Sequence, residues 1–429
     1  MTNRAVVVVD LGFGDAGKGL LTDHLVRTTG ATLVVRYNGG AQAGHNVVTP
    51  DGRHHTFAQL GSGSFVPGVR TFLSRHMVVH PTALVIEAVT LETKDVPEPL
   101  SRVHISERAR IITPFHQSLN RLRELARGDG RHGSCGVGVG ETVADALAHP
   151  DDAIIAGDLR RPAVLRQKLG RIQERLRAEA LRLLPELTKA ANPELLVFKR
   201  REVLEAWALE VTRLARLVVD DSLLTEWQGN VVFEGAQGVL LDESRGFHPH
   251  TTWSRCTADN AIALAREMRA EPTVETIGVL RAHAIRHGAG PFPTETPALA
   301  GTVPDHNEQN AWQGAVRYGH FDAVLARYAL AVAGRIDALA ITHLDTALKH
   351  DCWRFATAYE TPSLRDLPVS PEPSMEEQER LTTVLRDAVP RFEETSADGP
   401  AIIGTIEAVT GRRVRITSQG PSSRDVVAR

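Results

Sequence analysis

The chain opens on an almost unbroken apolar block. Ala5–Leu11 (AVVVVDL) is β-branched and closed by glycines, the pattern of a strand buried on both faces. Gly17 to Val26 then reads as a helix and Thr32–Tyr37 as a second strand. Strand, glycine-rich turn, helix and strand make a βαβ unit, which predicts a parallel sheet. Short apolar strands return at Val231–Phe233, Thr276–Leu280 and Ala338–Thr342, each followed by Gly, His or a charge. Between Leu159 and Leu187 the spacing of Leu and Ile is helical among Arg and Glu, so helices on the sheet's flank with a solvated charged face are expected. Thr361 to Ser374 is proline-rich and reads as a loop, and no repeat of 20–50 residues is visible. The expectation is an α/β fold. A central, mostly parallel sheet carries a P-loop-like nucleotide site and helical insertions. One domain spans 1–429, with a helical insertion around 159–225 and a loop-rich subregion around 350–400.

Composition narrows the class. Lys plus Arg number 49 against 52 Asp plus Glu, a net charge of −3, so no field calls for nucleic acid or an anionic membrane as partner. Apolar residues at 42% and charged residues at 24% are those of a globular chain rather than a disordered one. Cys135, Cys256 and Cys352 are odd in number, far apart and without a C-x-x-C, which argues against a disulfide framework or a Cys-rich zinc site and for a reducing, cytoplasmic setting. No apolar stretch approaches the length of a membrane span.

The chemistry begins after the first strand. Gly12-Phe13-Gly14-Asp15-Ala16-Gly17-Lys18-Gly19 has the spacing G-x-x-x-x-G-K between strand and helix. Glycines let backbone N–H groups converge on phosphate oxygens at a helix N-terminus, and Lys18 would neutralise the phosphates. The Ser or Thr that ordinarily follows the Lys, and holds magnesium, is Gly19; Asp15 is the nearest alternative oxygen ligand. A second cluster, Gly39-Gly40-Ala41-Gln42-Ala43-Gly44-His45-Asn46, lies past the second strand, where open α/β sheets bind ligands, and makes His45 a candidate for a γ-phosphate contact.

An Asp inside a phosphate loop followed by Gly-His after the next strand resembles the adenylosuccinate synthetase family. Phe233-Glu234-Gly235-Ala236-Gln237-Gly238 is similar to its F-E-G-A-Q-G, with Leu240-Leu241-Asp242 and Thr252 following. Gly288 to Glu295 reads G-A-G-P-F-P-T-E, identical to the family's, and includes Thr294. Phe321-Asp322-Ala323-Val324, Thr342-His343-Leu344-Asp345 and Ser418-Gln419-Gly420-Pro421 match further segments. The resemblance implies a homodimeric ligase that takes GTP, Mg²⁺, a purine-like lactam (nominally IMP) and an amine (nominally L-aspartate). It implies that Asp15 takes the N1 proton and the 6-oxygen attacks the γ-phosphate. His45 and Lys18 then stabilise the phosphoryl group, Gln237 holds the base, and Mg²⁺ sits between Asp15 and the Gly44 carbonyl. It also implies nucleotide contacts at Gly14, Gly17, Lys18, Gly19, Gly44, His45, Ser418 and Gly420. Asp345 would accept from the N1 and N2 hydrogens of guanine, favouring GTP over ATP, and His343 stands where the family has a Lys stacked on the base.

Departures cluster at the substrates. The phosphate-gripping T-T-G-R-G segment is Gly133-Ser134-Cys135-Gly136-Val137-Gly138, and no Arg follows until Arg160. The family's Asn in H-N-A-G-H is Gln42, its Val near the ribose is His287, and Thr252 is the surviving phosphate contact. The arginine-rich aspartate motif is replaced by Ala311-Trp312-Gln313-Gly314-Ala315-Val316-Arg317-Tyr318-Gly319. Trp312, Tyr318 and Arg317 are candidates for a carboxylate joined to an apolar or planar group. The expectation is a paralogue that keeps lactam activation but has a changed acceptor, amine or both. The alternatives are a nucleotide-binding pseudoenzyme and a small-molecule kinase of the same fold.

Overall fold

The opening apolar block becomes β1 (Arg4–Asp10), buried from Ala5 onward. The computed structural model describes residues 3–187, 192–300, 309–310, 312 and 314–429. The phosphate loop leads into α1 (Lys18–Thr29), which buries Leu20, Leu21, Leu25 and Val26 and ends at Gly30 in the left-handed region. After it come β2 (Leu33–Arg36) and β3 (His45–Val48), the latter in a hairpin with His54–Phe57.

A ten-stranded sheet holds the fold. From edge to edge its order is Val426–Ala428, Val414–Ser418, Ala338–Thr342, Thr273–Arg281, β1, Val231–Glu234, β2, Arg70–Leu73, Val103–Ser106 and Val218–Val219. Only Val426–Ala428 runs antiparallel to its neighbour. The parallel sheet is as expected, but β1 and β2 are not neighbours: Val231–Glu234 pairs with both and lies between them. The strand interiors are apolar on both faces. Val7, Val9, Val35, Phe233 and Ile341 enter one core cluster, and Val6, Val8, Val34, Val232 and Ala340 another. Such two-faced burial is what parallel strands covered by helices require.

Around 159–225 the chain is largely helical. Pro162–Arg182 buries Leu165, Leu169, Ile172 and Leu176 at helical spacing. Its charged face is more than solvated: Arg175 forks onto both Asp145 carboxylate oxygens, each bond 2.9 Å, and Lys168 Nζ reaches Asp158 at 2.9 Å. The stretch expected to be loop-rich, 350–400, is mostly regular. Strand Cys352–Thr361 pairs antiparallel with Val389–Ser396, and helix Met375–Arg386, capped by Ser374, lies between them. Trp353 and Phe355 alternate with exposed Arg354, a period-two pattern that the neighbouring prolines masked. The longest irregular stretch there is 362–374. Among the described residues no helix is long and apolar enough to cross a membrane.

Because the central strands are parallel, their C-terminal ends share one edge. Asp10, Arg36, Glu234, Arg281, Thr342 and Ser418 end six of those strands.

Candidate active site

The phosphate loop is folded on Asp10, 2% exposed at the end of β1. Its Oδ1 accepts from Gly12 N at 2.8 Å, and its Oδ2 from Ala16 N at 3.0 Å and Lys18 Nζ at 2.6 Å. Lys18 is therefore committed within the loop. The ammonium expected to neutralise a phosphate has a carboxylate partner, and both side chains are almost fully shielded. The glycine after Lys18 has a steric cause: a Cβ on Gly19 would lie 2.9 Å from the Asn46 carbonyl oxygen and 3.0 Å from His45 Cβ. β3 fills the space that a hydroxyl-bearing side chain would need. Gly14 and Gly17 both take positive φ, 94° and 86°, as a tight phosphate turn demands.

Asp15 is held with φ 55°. Its Oδ2 lies 3.0 Å from His287 Nε2. Burial pushes its carboxyl up, but the His287 hydrogen bond and the charges of His287, Lys18 and Arg281 hold it below the ordinary value. An ionised carboxylate suits a hard cation. Among the described residues no three His, Cys, Asp or Glu side chains converge to hold a metal on their own. The ionised Asp15 suits magnesium that arrives with nucleotide phosphates, its usual mode of binding.

His45, on β3, is buried, and its Nδ1 lies 2.6 Å from Glu234 Oε1. Glu234 is fully buried and also accepts from Ser62 N at 2.9 Å and from the Ser62 hydroxyl. Burial opposes its charge, yet Arg36 and His45 bring its carboxyl down to about 2. Burial lowers the His45 imidazole, so the ring is neutral near pH 7. Nδ1–H is donated to Glu234 and Nε2 remains for chemistry; a proton gained there is stabilised by the carboxylate behind it. Sequence reading quoted Glu234 only as part of a motif and passed over Arg36. The available signal was a charge closing each of two strands otherwise apolar. Arg36 is fully buried and donates Nη1–H to the Leu60 carbonyl at 3.2 Å.

Gln237 takes φ 55°, and its buried Oε1 has no hydrogen-bond partner. Gly238 packs so tightly that a Cβ would lie 2.1 Å from the Gly12 carbonyl oxygen. Asn38 stitches the loops after β2 and Val231–Glu234: its Nδ2 donates to Ala236 O at 3.0 Å and its Oδ1 accepts from Ala236 N at 2.7 Å. Gln42 Oε1 and Thr294 Oγ1 are likewise buried without a partner. Thr252 N donates to Leu241 O at 2.7 Å.

Beside this lies a cavity of about 440 Å³ bounded by Arg131, Gly133, Gly288, Trp312, Ala315 and Arg317. Trp312 packs on Gly136, where a Cβ would come within 2.7 Å of the indole, and Arg121 lies 5.5 Å from the ring centroid. Burial pushes the Cys135 thiol up to about 11, so it stays protonated. Arg317 does not stand ready for a carboxylate. It donates to Gly288 O at 3.0 Å, Gly290 O at 2.9 Å and Glu295 at 2.8 Å, bracing the 288–295 loop. Ala311 and Gln313 lie outside the described residues.

On the other side of the phosphate loop, Thr342 Oγ1 donates to Ala16 O at 2.9 Å. His343 follows with φ 57°, and Asp345 sits in the first turn of Leu344–Ala347. Ser418 Oγ donates to Gly420 O at 2.8 Å. The structure thus brings Asp15, His45, Gln237 and His287 around the phosphate loop. His343 and Asp345 follow the adjoining strand end, Trp312 and Arg317 border the cavity, and Cys135 does not line it but precedes Gly136, on which Trp312 packs.

Comparison with known proteins finds relatives along nearly the whole chain. A family model described as adenylosuccinate synthetase matches residues 7–427. The chain is 30% identical to the adenylosuccinate synthetase of Rhodococcus erythropolis over 444 aligned residues, covering 99% of this chain and 98% of the relative. It is 35% identical to that of Synechocystis over 371 residues, 83% of this chain and 78% of the relative. Among solved structures, a fully ligated adenylosuccinate synthetase from Plasmodium falciparum superposes with a TM-score of 0.79 at 19% identity, each chain covered completely. A succinoaminodeoxyadenylate synthetase of cyanophage S-2L, bound to dGMP and dATP as an energy donor, gives 0.60 at 18% identity over 100% of this chain and 96% of the other.

Proposed function

Since the chain belongs to the adenylosuccinate synthetase family, GTP-dependent ligases that form a C–N bond, we propose that it activates a lactam carbonyl on a purine-like ring and joins an amine there, with an acceptor or amine other than IMP and L-aspartate. The observation that carries this reading is a contrast. The reacting groups are fully built, with Asp15 on His287 and His45 on Glu234. The groups that would hold two anionic substrates are fewer, with Arg131 and Arg317 as the arginines at the cavity. Positions 301–313 contain no Lys or Arg, none occurs between Val137 and Arg160, and Arg317 is spent on its own loop. A missing arginine fork removes a charge-assisted bidentate contact.

The chemistry follows from the chain's own residues. The ionised Asp15 takes the ring N–H proton, and the carbonyl oxygen becomes the nucleophile toward the γ-phosphorus of GTP. His45, backed by Glu234, supports the charge on the transferring group, and the backbone N–H groups of the phosphate loop hold the remaining phosphates. Asp15 and the Gly44 carbonyl would hold Mg²⁺, which would supply neutralisation of the phosphate charge. An amine then attacks the ring carbon, phosphate leaves with the former carbonyl oxygen, and the amine's proton is released. Gln237 Oε1, Gln42 Oε1 and Thr294 Oγ1, buried without partners, are suited to receive ring and sugar hydrogens. Asp345 favours guanine as the donor base. The cyanophage protein, bound to dGMP and to dATP as an energy donor, is similar in fold to this chain.

The test is phosphate release from GTP and Mg²⁺ with IMP, inosine, GMP and guanosine against a panel of amines, read with mass spectrometry of the product. GTP-dependent coupling to a pair other than IMP and L-aspartate, lost in Asp15→Asn while GTP still binds, is the expected result. Efficient formation of adenylosuccinate overturns the changed substrate pair. Absence of any coupled product overturns the ligase reading.

A further inference from the structure

We infer that His287 is a positioning residue for Asp15: it holds one carboxylate oxygen so that the other faces the reacting ring. This rests on the reading of Asp15 as the group that takes the ring proton. His287 Nε2 lies 3.0 Å from Asp15 Oδ2, with the two side chains 10% and 24% exposed. The separation is an ion-pair distance, and the contact is shielded enough to persist.

Neither end of the contact is free to wander. Asp15 lies in the left-handed region between Gly14 and Gly17, themselves at positive φ, in a loop tied to Asp10 through Gly12, Ala16 and Lys18. His287 closes the strand Ala284–His287, in register with Val316 of Gly314–Gly319. The residue before it, Arg286, is 1% exposed and donates to Ala289 O at 3.2 Å and Pro291 O at 2.8 Å. The same guanidinium stacks 4.1 Å from the centroid of Phe13, in the loop that carries Asp15. The residue after it, Gly288, has its carbonyl held by Arg317 Nε at 3.0 Å. Two arginines thus clamp the strand end, and one of them clamps it to the phosphate loop.

A carboxylate in a glycine-rich loop otherwise turns freely about its last torsion, a broad two-fold rotor. An imidazole N–H fixed on Oδ2 removes that freedom and leaves Oδ1 presented in one direction. The proton from the ring passes to Oδ1, and His287 keeps its own proton throughout. Misplacing a reacting group by about 1 Å costs on the order of a hundredfold in rate, so orientation of this carboxylate is a sizeable part of its usefulness.

The test has two readouts on the full chain. In histidine-labelled protein without ligand, long-range proton–nitrogen NMR, with His287→Gln assigning the ring, is expected to show His287 protonated at Nε2 and slow to exchange; Asp15→Asn is expected to shift that ring. A His287 ring unchanged by Asp15→Asn overturns the inference. In phosphate release with GTP, Mg²⁺ and whichever of IMP, inosine, GMP or guanosine reacts fastest, His287→Val is expected to lose at least tenfold in kcat with the KM for GTP within twofold. His287→Gln, which keeps an N–H donor, is expected to recover most of that loss. Equal losses in the two variants overturn the positioning role. If Asp15→Asn releases phosphate as the wild type does, the reading of Asp15 as base fails, and the NMR comparison still decides whether His287 holds it.

Discussion

Replacing Glu234 by Gln keeps the shape of the side chain and removes its charge, which isolates what that charge does. The carboxylate is fully buried, receives His45 Nδ1 at 2.6 Å and Ser62 N at 2.9 Å, and has the buried Arg36 as its main attracting charge. Its pKa falls from an ordinary 4.5 to about 2, which corresponds to about 3 kcal/mol of folding stability. The sign is that of a depressed carboxylate: the contribution is complete above pH 4.5 and is lost as pH falls toward 2. The amide also withdraws the charge that acts on the buried Arg36. Urea unfolding at pH 7 is therefore expected to show Glu234→Gln destabilised by roughly 3 kcal/mol, with a weaker acid dependence below pH 4.5. A hydrogen bond to a charged group contributes about 1.5–3 kcal/mol, so turnover at a temperature where the variant is folded is expected to drop by about 10- to 150-fold as His45 loses support for its positive charge. A variant that unfolds within about 0.5 kcal/mol of the parent and turns over within twofold of it would refute the argument.

Two further expectations concern the loop and the pH profile. Gly19→Ser restores the hydroxyl usual in a phosphate loop but drives its Cβ against β3, where atoms lie 2.9–3.0 Å away; a loss of about 1–3 kcal/mol in urea unfolding is expected, and a stabilised variant would contradict the steric account. Burial raises Glu87 to about 7 although it accepts from the Ala58, Gln59 and Leu60 amides. Its contribution is complete below pH 4.5 and is lost as pH rises through 7, so Glu87→Gln is expected to flatten the fall in stability between pH 4.5 and 7; an unchanged slope in pH-dependent unfolding counts against it.

The central strands were legible because burial on both faces leaves β-branched runs that nothing else resembles, and Ala338–Thr342 matches its expected bounds. Sheet order was not. Val231–Glu234 lies between β1 and β2 because of a pairing choice made far along the chain, and no local pattern records it. The site divides in the same way. Asp15, His45 and Gln237 stand out by residue type and spacing, whereas their partners lie on other strand ends. Lys18 looked free until Asp10, eight residues earlier, proved to hold it. His287 read as a contact for a sugar and proved to face Asp15. The strands at Cys352–Thr361 and Val389–Ser396 were hidden by prolines that in fact end one strand and precede a helix.

The position of β1 has a consequence during synthesis. Its two neighbours are residues 231–234 and 273–281, so the most apolar segment of the N-terminus leaves the ribosome about 220 residues before either edge can be paired. At roughly 5–20 residues per second that wait is on the order of 10–40 s. For that time Val6 to Val9 is a bare, sticky template for another nascent chain. Slowing translation lengthens that exposure.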